Sequence, residues 1–422
     1  MREVKHRYVT PPAGKVAVSV RLPASKSISA RVLLIRALCE KKFRIKNLSA
    51  SDDTLYLKNI LERYGRGDLR IHRIHKINTG DGGTTMRFLI AFFAIQKGTT
   101  VILNGSKQMN KRPVGILVSA LKKLGAEIRY VGKKGYPPVR INGKEIVGGK
   151  IKMDGSVSSQ FVSALILAAP LFKSGLKIAI PGNIVSLPYI IMTAKLMKYF
   201  GIRVTLKKNR SGIIIHIPPS EYQSREFSVE PDWSAASFWY EAAALAKSAS
   251  VFLKGLRKES LQGDAAVVSL FKNFGVETKF TEGGCMVIKK KRPVRFSKPD
   301  RSLRIDFTNH PDLAIPFAFT CAGLGRRAFF TGLNNLSIKE SDRVNSLITE
   351  INKIGISLSF HSHHDHRIAM GVAPLALKSG TIKVNHSDVV KKSYPAYWCD
   401  LEKAGFRVKN ILGQRSKIKD TG

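Results

Sequence analysis

Apolar positions along this chain keep two alternating rhythms. One is the i, i+3, i+4, i+7 spacing of an amphipathic helix, as in Val114-Gly-Ile-Leu-Val-Ser-Ala-Leu121, which buries a single face. The other is a short strand-favouring run, such as Ala126-Glu-Ile-Arg-Tyr130 or Ile202-Arg-Val-Thr-Leu206. A glycine joins them, preceded by two apolar residues three positions apart. The junction recurs as Leu61-Glu-Arg-Tyr-Gly65, Leu121-Lys-Lys-Leu-Gly125, Met197-Lys-Tyr-Phe-Gly201, Phe271-Lys-Asn-Phe-Gly275, Ile351-Asn-Lys-Ile-Gly355 and Leu401-Glu-Lys-Ala-Gly405. Glycine just past a helix predicts a left-handed C-cap. Six such junctions, 50 to 80 residues apart, predict an α/β chain built from one repeated unit, used three times in each half. Polar turns separate the units: Gly132-Lys-Lys-Gly135, Lys207-Lys-Asn-Arg-Ser-Gly212 and Gly283-Gly284. Pro218-Pro-Ser-Glu-Tyr-Gln-Ser-Arg225 lies between the third and fourth units. It is the expected junction of two lobes with a cleft between them.

At 422 residues the chain is long enough for two or three domains with a large core. Its 44% hydrophobic and 24% charged content is ordinary for a soluble globular protein. The charge balance is not, since 71 Lys and Arg against 30 Asp and Glu leave +41. Such a field attracts polyanions and raises nucleic acid as a partner. The lysines, however, are spread along the whole length, and the densest runs, Lys289-Lys-Lys-Arg292 and Lys107 to Arg112, are short. No aromatic-rich RNA-binding signature accompanies them. The excess reads as a solvated basic surface suited to anionic small molecules, with no specific nucleic acid expected. Cys39, Cys285, Cys321 and Cys399 form no CxxC pair, which fits a reducing, cytoplasmic setting. The first residues carry no apolar core of a signal peptide, and no 18-residue apolar span follows, so neither secretion nor membrane insertion is expected.

Several stretches carry candidate chemistry. Thr79-Gly-Asp-Gly-Gly-Thr-Thr-Met-Arg87 precedes an apolar run from Phe88 to Ile95. Its glycines admit close approach of a ligand, and a helix starting near Thr84 presents free N–H groups to an anion. It lacks the Gly-Lys-Ser/Thr ending of a Walker loop and the third glycine of a dinucleotide fingerprint. Ser25 or Ser27 is placed to cap a helix whose start carries Lys26 and Arg31. Lys111-Arg-Pro113 opens another helix. Gly155-Ser-Val-Ser-Ser-Gln-Phe161 leads into the apolar Val162 to Leu171, and its hydroxyls want partners that a phosphate supplies. Ser186-Leu-Pro-Tyr189 repeats that theme. Asp306-Phe-Thr-Asn-His-Pro-Asp312 and Asn335-Leu-Ser-Ile-Lys-Glu-Ser-Asp-Arg343 bring acids as well as cations. Either is commonly an ion-paired surface turn; together in a cleft, Asp312 and Glu340 would serve as base and acid. His361-Ser-His-His-Asp-His366 has the HxHxDH spacing of zinc hydrolases. Only His386 follows as a further histidine, so zinc is not expected.

Taken in order, these stretches resemble the 5-enolpyruvylshikimate-3-phosphate (EPSP) synthase family, from about Leu22 to Phe406. The resemblance rests on Ser25-Lys-Ser-Ile-Ser-Ala-Arg31, Gly80-Asp-Gly-Gly-Thr-Thr-Met-Arg87, Arg112-Pro-Val-Gly115, Gly155 to Phe161, Asn309-His-Pro-Asp312, Lys339-Glu-Ser-Asp-Arg343, Asp365-His-Arg-Ile-Ala-Met370 and Lys392-Ser-Tyr-Pro395. Asp232-Trp-Ser-Ala-Ala-Ser237 and Leu261-Gln-Gly-Asp264 look most like bacterial members of the Bacteroidetes type. The resemblance implies a two-lobed α/β enolpyruvyl transferase fold, an inside-out α/β barrel with six βαβαββ-type repeats, three per lobe. The lobes would be residues 23–225, and residues 1–22 together with 226–422. The implied reaction moves the enolpyruvyl group of phosphoenolpyruvate to the 5-hydroxyl of shikimate 3-phosphate and releases phosphate, within aromatic amino-acid biosynthesis. It needs no metal or organic cofactor, and a monomer is expected.

By the same resemblance, Lys26, Arg112, Gln160 and Lys392 would meet phosphoenolpyruvate, mainly its phosphate, with Gly83 allowing close approach. Arg343 and Arg367 would hold its carboxylate. Lys26, Ser27 and Arg31 would meet shikimate 3-phosphate. Ser158, Ser159, Gln160, Ser186, Tyr189, Asn335 and Lys339 would surround its 3-phosphate end, and Asp312 its 5-hydroxyl. Asp312 would act as base, and Glu340, with Lys26, as acid. Two phosphates and two carboxylates share the cleft, so clustered cations lower their repulsion. Ala30, Asp81, Leu187 and Phe88 depart from residues frequent in the family. Asp81 adds negative charge beside an anion site and is expected to weaken phosphoenolpyruvate binding. The sister family acting on UDP-sugars uses a loop cysteine, and Asn104 to Pro113 contains none. Gly83 leaves the space that glyphosate takes in sensitive members, so inhibition competitive with phosphoenolpyruvate is expected.

Overall fold

The computed structural model describes residues 5–65, 73–154, 158–290, 302–337 and 339–412. Gly155, Ser156 and Val157 of the serine-rich stretch, Ile338, and Lys291 and Arg292 of the basic run lie outside them. Two separate hydrophobic cores define two lobes. One draws its residues from Ala24 to Val229. The other combines Val9, Val16, Val20 and Leu22 with residues from Trp233 to Phe406.

Helices fill the centre of each lobe and sheets form its outside. Gly83–Ala94 is apolar on every side except at its start, so it has no face to offer water; all but one of its residues are buried. It packs against Lys26–Leu38 and Ser159–Ala168, the other two buried helices of the first lobe. The second lobe repeats the trio with Trp233–Leu245, Ala314–Gly323 and His366–Val372. The consequence is geometric: six buried helices begin at the cleft, three from each side.

The sheets carry the repeat. Four are four-stranded and two are parallel two-stranded pairs. In the first lobe Ile74–Asn78 runs parallel to Thr100–Asn104, which pairs antiparallel with Val139–Asn142 and through it with Glu127–Tyr130. Leu176–Pro181 repeats that arrangement with Gly149–Lys152 and the hairpin Thr205–Asn209, Gly212–Ile217. The two N-terminal strands join second-lobe sheets. Val16–Val20 lies parallel to Ala249–Lys254, and Lys5–Thr10 pairs antiparallel with both Ile382–Asn385 and Arg407–Leu412.

Five of the six junction glycines (Gly125, Gly201, Gly275, Gly355 and Gly405) have positive φ, from 73° to 107°. Gly65 does not. Its φ of −63° and ψ of 176° carry the chain away as extended backbone, so the expected left-handed cap is absent there. Close packing still favours glycine, because a Cβ would meet the Leu61 carbonyl oxygen at 2.7 Å. The chain passes between lobes twice, side by side. Ser25 N–H donates to Glu230 O at 2.9 Å and Asp232 N–H to Pro23 O at 2.9 Å. This return crossing falls a few residues beyond the expected boundary at 225, because Phe227 and Ser228 pair with Ile45 and Lys46, and Val229 packs in the first core.

Candidate active site

The buried helix ends deliver the side chains. In the first lobe Ser25 caps Lys26–Leu38, accepting from the Ile28 N–H at 3.5 Å. Lys26 therefore sits in the first turn, where its ammonium meets Asp53 at 3.0 Å. Burial lowers the Lys26 pKa, but Asp53 and Glu340 outweigh it and raise the net value. Arg31, one turn on, is 2% exposed and held by several hydrogen bonds. It donates to Thr193 Oγ1 (2.7 Å), Ser27 O (2.8 Å) and Ser163 Oγ (3.1 Å). Burial pulls its pKa down to about 10.

Gly83 opens its helix against Arg112. A Cβ at Gly83 would lie 2.6–2.7 Å from the guanidinium atoms, so glycine is required by close approach and not by conformation. Arg112 Nη1 donates to Asp81 O at 3.4 Å, and among the described residues its Nε has no partner. Ser158 caps Ser159–Ala168 by accepting from Gln160 N at 3.4 Å. Arg87 reaches across to Gln160 Oε1, donates to Pro113 O at 3.2 Å, and lies 4.8 Å from the centre of the Phe161 ring. It braces Gln160 from behind. Ser186 takes a left-handed backbone (φ 60°) at the head of Leu187–Tyr199, and its N–H donates to Thr308 O of the second lobe at 2.8 Å.

The second lobe supplies a buried ionic cluster. Asp312 accepts from Arg343 Nη1 (2.9 Å), Arg367 Nη2 (3.1 Å) and Tyr189 Oη (3.3 Å), with Lys339 Nζ at 3.9 Å. Burial pushes the Asp312 carboxyl up, but Arg367, Lys339 and Arg343 outweigh it and hold it well below the usual carboxylate range. Asp365 caps His366–Val372 through the Arg367 N–H (2.9 Å) and grips Arg343 with both oxygens (2.6 and 3.3 Å). Burial draws the Lys339 ammonium down to about 8. Glu340 hydrogen-bonds His366 Nδ1 at 2.7 Å. Burial raises the Glu340 carboxyl, yet His366, Lys26 and Arg343 bring it well below its ordinary value.

One concave wall gathers Lys26, Ser27, Arg31, Gly83, Arg112, Ser158, Ser159, Gln160, Ser186, Tyr189, Asp312, Asn335, Lys339, Glu340, Arg343 and Arg367. Lys392 lines the adjoining hollow with Asp81, Arg112 and Glu340, and pairs with Asp81 at 3.1 Å. The residues singled out from sequence therefore collect into a single cleft. Their partners were not foreseen. Asp53 neutralises Lys26, His366 holds Glu340, and Gln108 Nε2 donates to Glu340 O across the cleft at 3.0 Å. Asp264 lies within 3.5 Å of Tyr189 Oη and is hydrogen-bonded by Ser234; burial and Asp312 push its carboxyl up to about 6. Asp365, His366 and Asp264 alone gave any local sign, each standing within one of the family-like motifs.

The His361–His366 segment splits in two. His361 and His364 turn toward His386 (ring centres 4.7 and 4.5 Å apart), and His363 Nε2 meets Glu350 at 2.6 Å. His366 faces the opposite way, into the cleft. Among the described residues, Glu340, Asp365 and His366 bring three ligand-type atoms within 4.8 Å. Arg343 already occupies both Asp365 oxygens, and Glu340 and His366 hydrogen-bond each other, so these atoms already have partners within the chain.

Residues 11–401 match the family described as EPSP synthase (3-phosphoshikimate 1-carboxyvinyltransferase). A 3-phosphoshikimate 1-carboxyvinyltransferase of Bacteroides fragilis (strain YCH46) is 40% identical over 96% of this chain and 99% of that protein. The enzyme of the same name from Sulfurovum sp. is 33% identical over 91% of this chain and 95% of its own. A solved EPSP synthase from Acinetobacter baumannii superposes with a TM-score of 0.74 at 21% identity, covering 96% of this chain and 100% of that one.

Proposed function

The chain belongs to the EPSP synthase family, and from that premise we propose how its residues divide the work. The reaction transfers the enolpyruvyl group of phosphoenolpyruvate to the 5-hydroxyl of shikimate 3-phosphate and releases phosphate. Lys26, Arg112, Gln160 and Lys392 take the phosphoenolpyruvate phosphate, with Gly83 at closest approach, and Arg343 and Arg367 take its carboxylate. Lys26, Ser27, Arg31, Ser158, Ser159, Gln160, Ser186, Tyr189, Asn335 and Lys339 hold shikimate 3-phosphate. Asp312 accepts the proton of the 5-hydroxyl as that oxygen attacks C2, while Glu340, with Lys26, protonates C3. The tetrahedral adduct then loses phosphate and one C3 proton, which restores the double bond.

One observation carries this division: Asp312 is ion-paired to both Arg343 and Arg367. So paired, Asp312 is a poor base. A substrate carboxylate that draws those guanidiniums toward itself weakens their hold and lifts the Asp312 pKa when the hydroxyl is in place. Glu340 follows the same logic, since dianionic substrates offset the cations that keep it ionised.

The lobes are proposed as 23–225, with the next residues to Val229 staying beside the first core, and 1–22 with the remainder of 226–422; the two separate cores support that division. No helix among the described residues is long and apolar enough to cross a membrane, and Cys285, Cys321 and Cys399 are free thiols. Both fit a cytoplasmic monomer, which gel filtration and fractionation test. Phosphate release with both substrates tests the assignment. Turnover abolished by Asp312→Asn with both substrates still bound supports it; near-normal turnover in that variant overturns Asp312 as the base.

A further inference from the structure

The ion pair between Asp81 and Lys392 has no place in the reaction just described. Its carboxylate leaves the segment before helix Gly83–Ala94, and its ammonium ends the turn Ser387–Lys392, so it spans the cleft. The Asp81 carbonyl accepts from Arg112, which puts this acid beside the guanidinium that lies against Gly83. Burial acts against the Asp81 carboxylate, but hydrogen bonding from Ser106 and the charge of Lys392 keep it ionised. We propose that Asp81 is a specificity-determining residue that holds Lys392 in place of the phosphoenolpyruvate phosphate and thereby sets the affinity for that substrate. The proposal rests on reading Lys392 as a ligand of that phosphate.

Exposure separates this pair from its neighbours. The Asp81 side chain is 40% exposed and Lys392 23%, against 0% and 3% for Asp365 with Arg343. A pair this open is worth roughly a 1.5- to 5-fold change in an equilibrium constant. A phosphate of nearly two charges with three acceptor oxygens outcompetes one carboxylate for the ammonium. A singly charged anion does not. Asp81, once released, has solvent to turn into.

The test is a double-mutant cycle over Asp81→Asn and Lys392→Met, reading KM for each substrate and the inhibition constant of inorganic phosphate. The expected result for Asp81→Asn is a KM for phosphoenolpyruvate and an inorganic phosphate constant lowered about two- to fivefold. KM for shikimate 3-phosphate stays put. In the Lys392→Met background the Asp81→Asn effect shrinks below about 1.5-fold. A KM for phosphoenolpyruvate unchanged or raised by Asp81→Asn, while Lys392→Met raises it, overturns the role of Asp81 and leaves Lys392 assigned. That role is equally overturned if the gain persists without Lys392, or if both substrates shift together. If Lys392→Met alone leaves that KM unaltered, the reading of Lys392 fails and the proposal falls with it.

Discussion

The two lobes present the same three helix ends to the cleft with opposite chemistry. In the first lobe the buried helices start with Ser25, Gly82 and Ser158, neutral residues that leave the positive end of each helix available to an anion. In the second, Asp232 and Asp365 cap two of the helices, and Asp312 stands in the turn entering the third. The first two ends are already satisfied by carboxylates of the chain, and the positive charge there belongs to side chains, namely Arg343, Arg367 and Lys339. One architecture thus yields a lobe whose helix starts offer backbone and hydroxyl donors to an anion, and a lobe that holds acids in check with guanidiniums. What differs is the residue at the helix start, not the fold.

The sharpest way to break this contrast is to remove a second-lobe acid. Asp312→Asn should lower kcat by about 10²- to 10⁴-fold while calorimetry still registers both substrates; a loss confined to KM would make Asp312 a binding residue only. The next effect belongs to the first lobe. Gly83→Ala drives a methyl into the Arg112 guanidinium, and KM for phosphoenolpyruvate should rise about tenfold or more (~1.4 kcal/mol per decade). Glyphosate, expected to compete with phosphoenolpyruvate in the parent enzyme, should bind more weakly in that variant, as a Dixon analysis at several phosphoenolpyruvate concentrations would register. A pH profile sharpens the second-lobe side. Lys339, drawn down to about 8 by burial, is charged below that value and neutral above it. Hence kcat/KM for shikimate 3-phosphate should fall as pH rises through 8, and Lys339→Arg should move that limb upward. The smallest expected change is Arg87→Lys. It keeps the charge but loses the fork that spans Gln160 and Pro113, and should raise KM a few-fold with kcat nearly intact.

The sequence announced these positions unevenly. The helix starts were legible because capping serines, glycines and aspartates mark them locally, and the buried helices because no polar face interrupts Gly83–Ala94 or Ser159–Ala168. Counter-ions were not. Asp53 stands in an ordinary amphipathic helix, and nothing nearby marks it as the partner of Lys26. Glu340 and His366 are brought together by tertiary packing alone, as are Asp81 and Lys392 from opposite lobes. Gly65 shows a local signal misleading in the other direction: its setting matches the five left-handed glycines, yet close contact with Leu61 is what it serves. Periodicity reports which face is buried, but not which charge on a distant element will meet it.

The strand Lys5–Thr10 is made first and pairs with Ile382–Asn385 and Arg407–Leu412, which are made nearly last. During synthesis the first lobe, contiguous in the chain, has everything it needs to condense early. The opening strand must wait through the growth of almost the entire polypeptide with its backbone donors and acceptors exposed to solvent or to a chaperone. Lys5–Thr10 can complete its sheet only after both of those partners have been made.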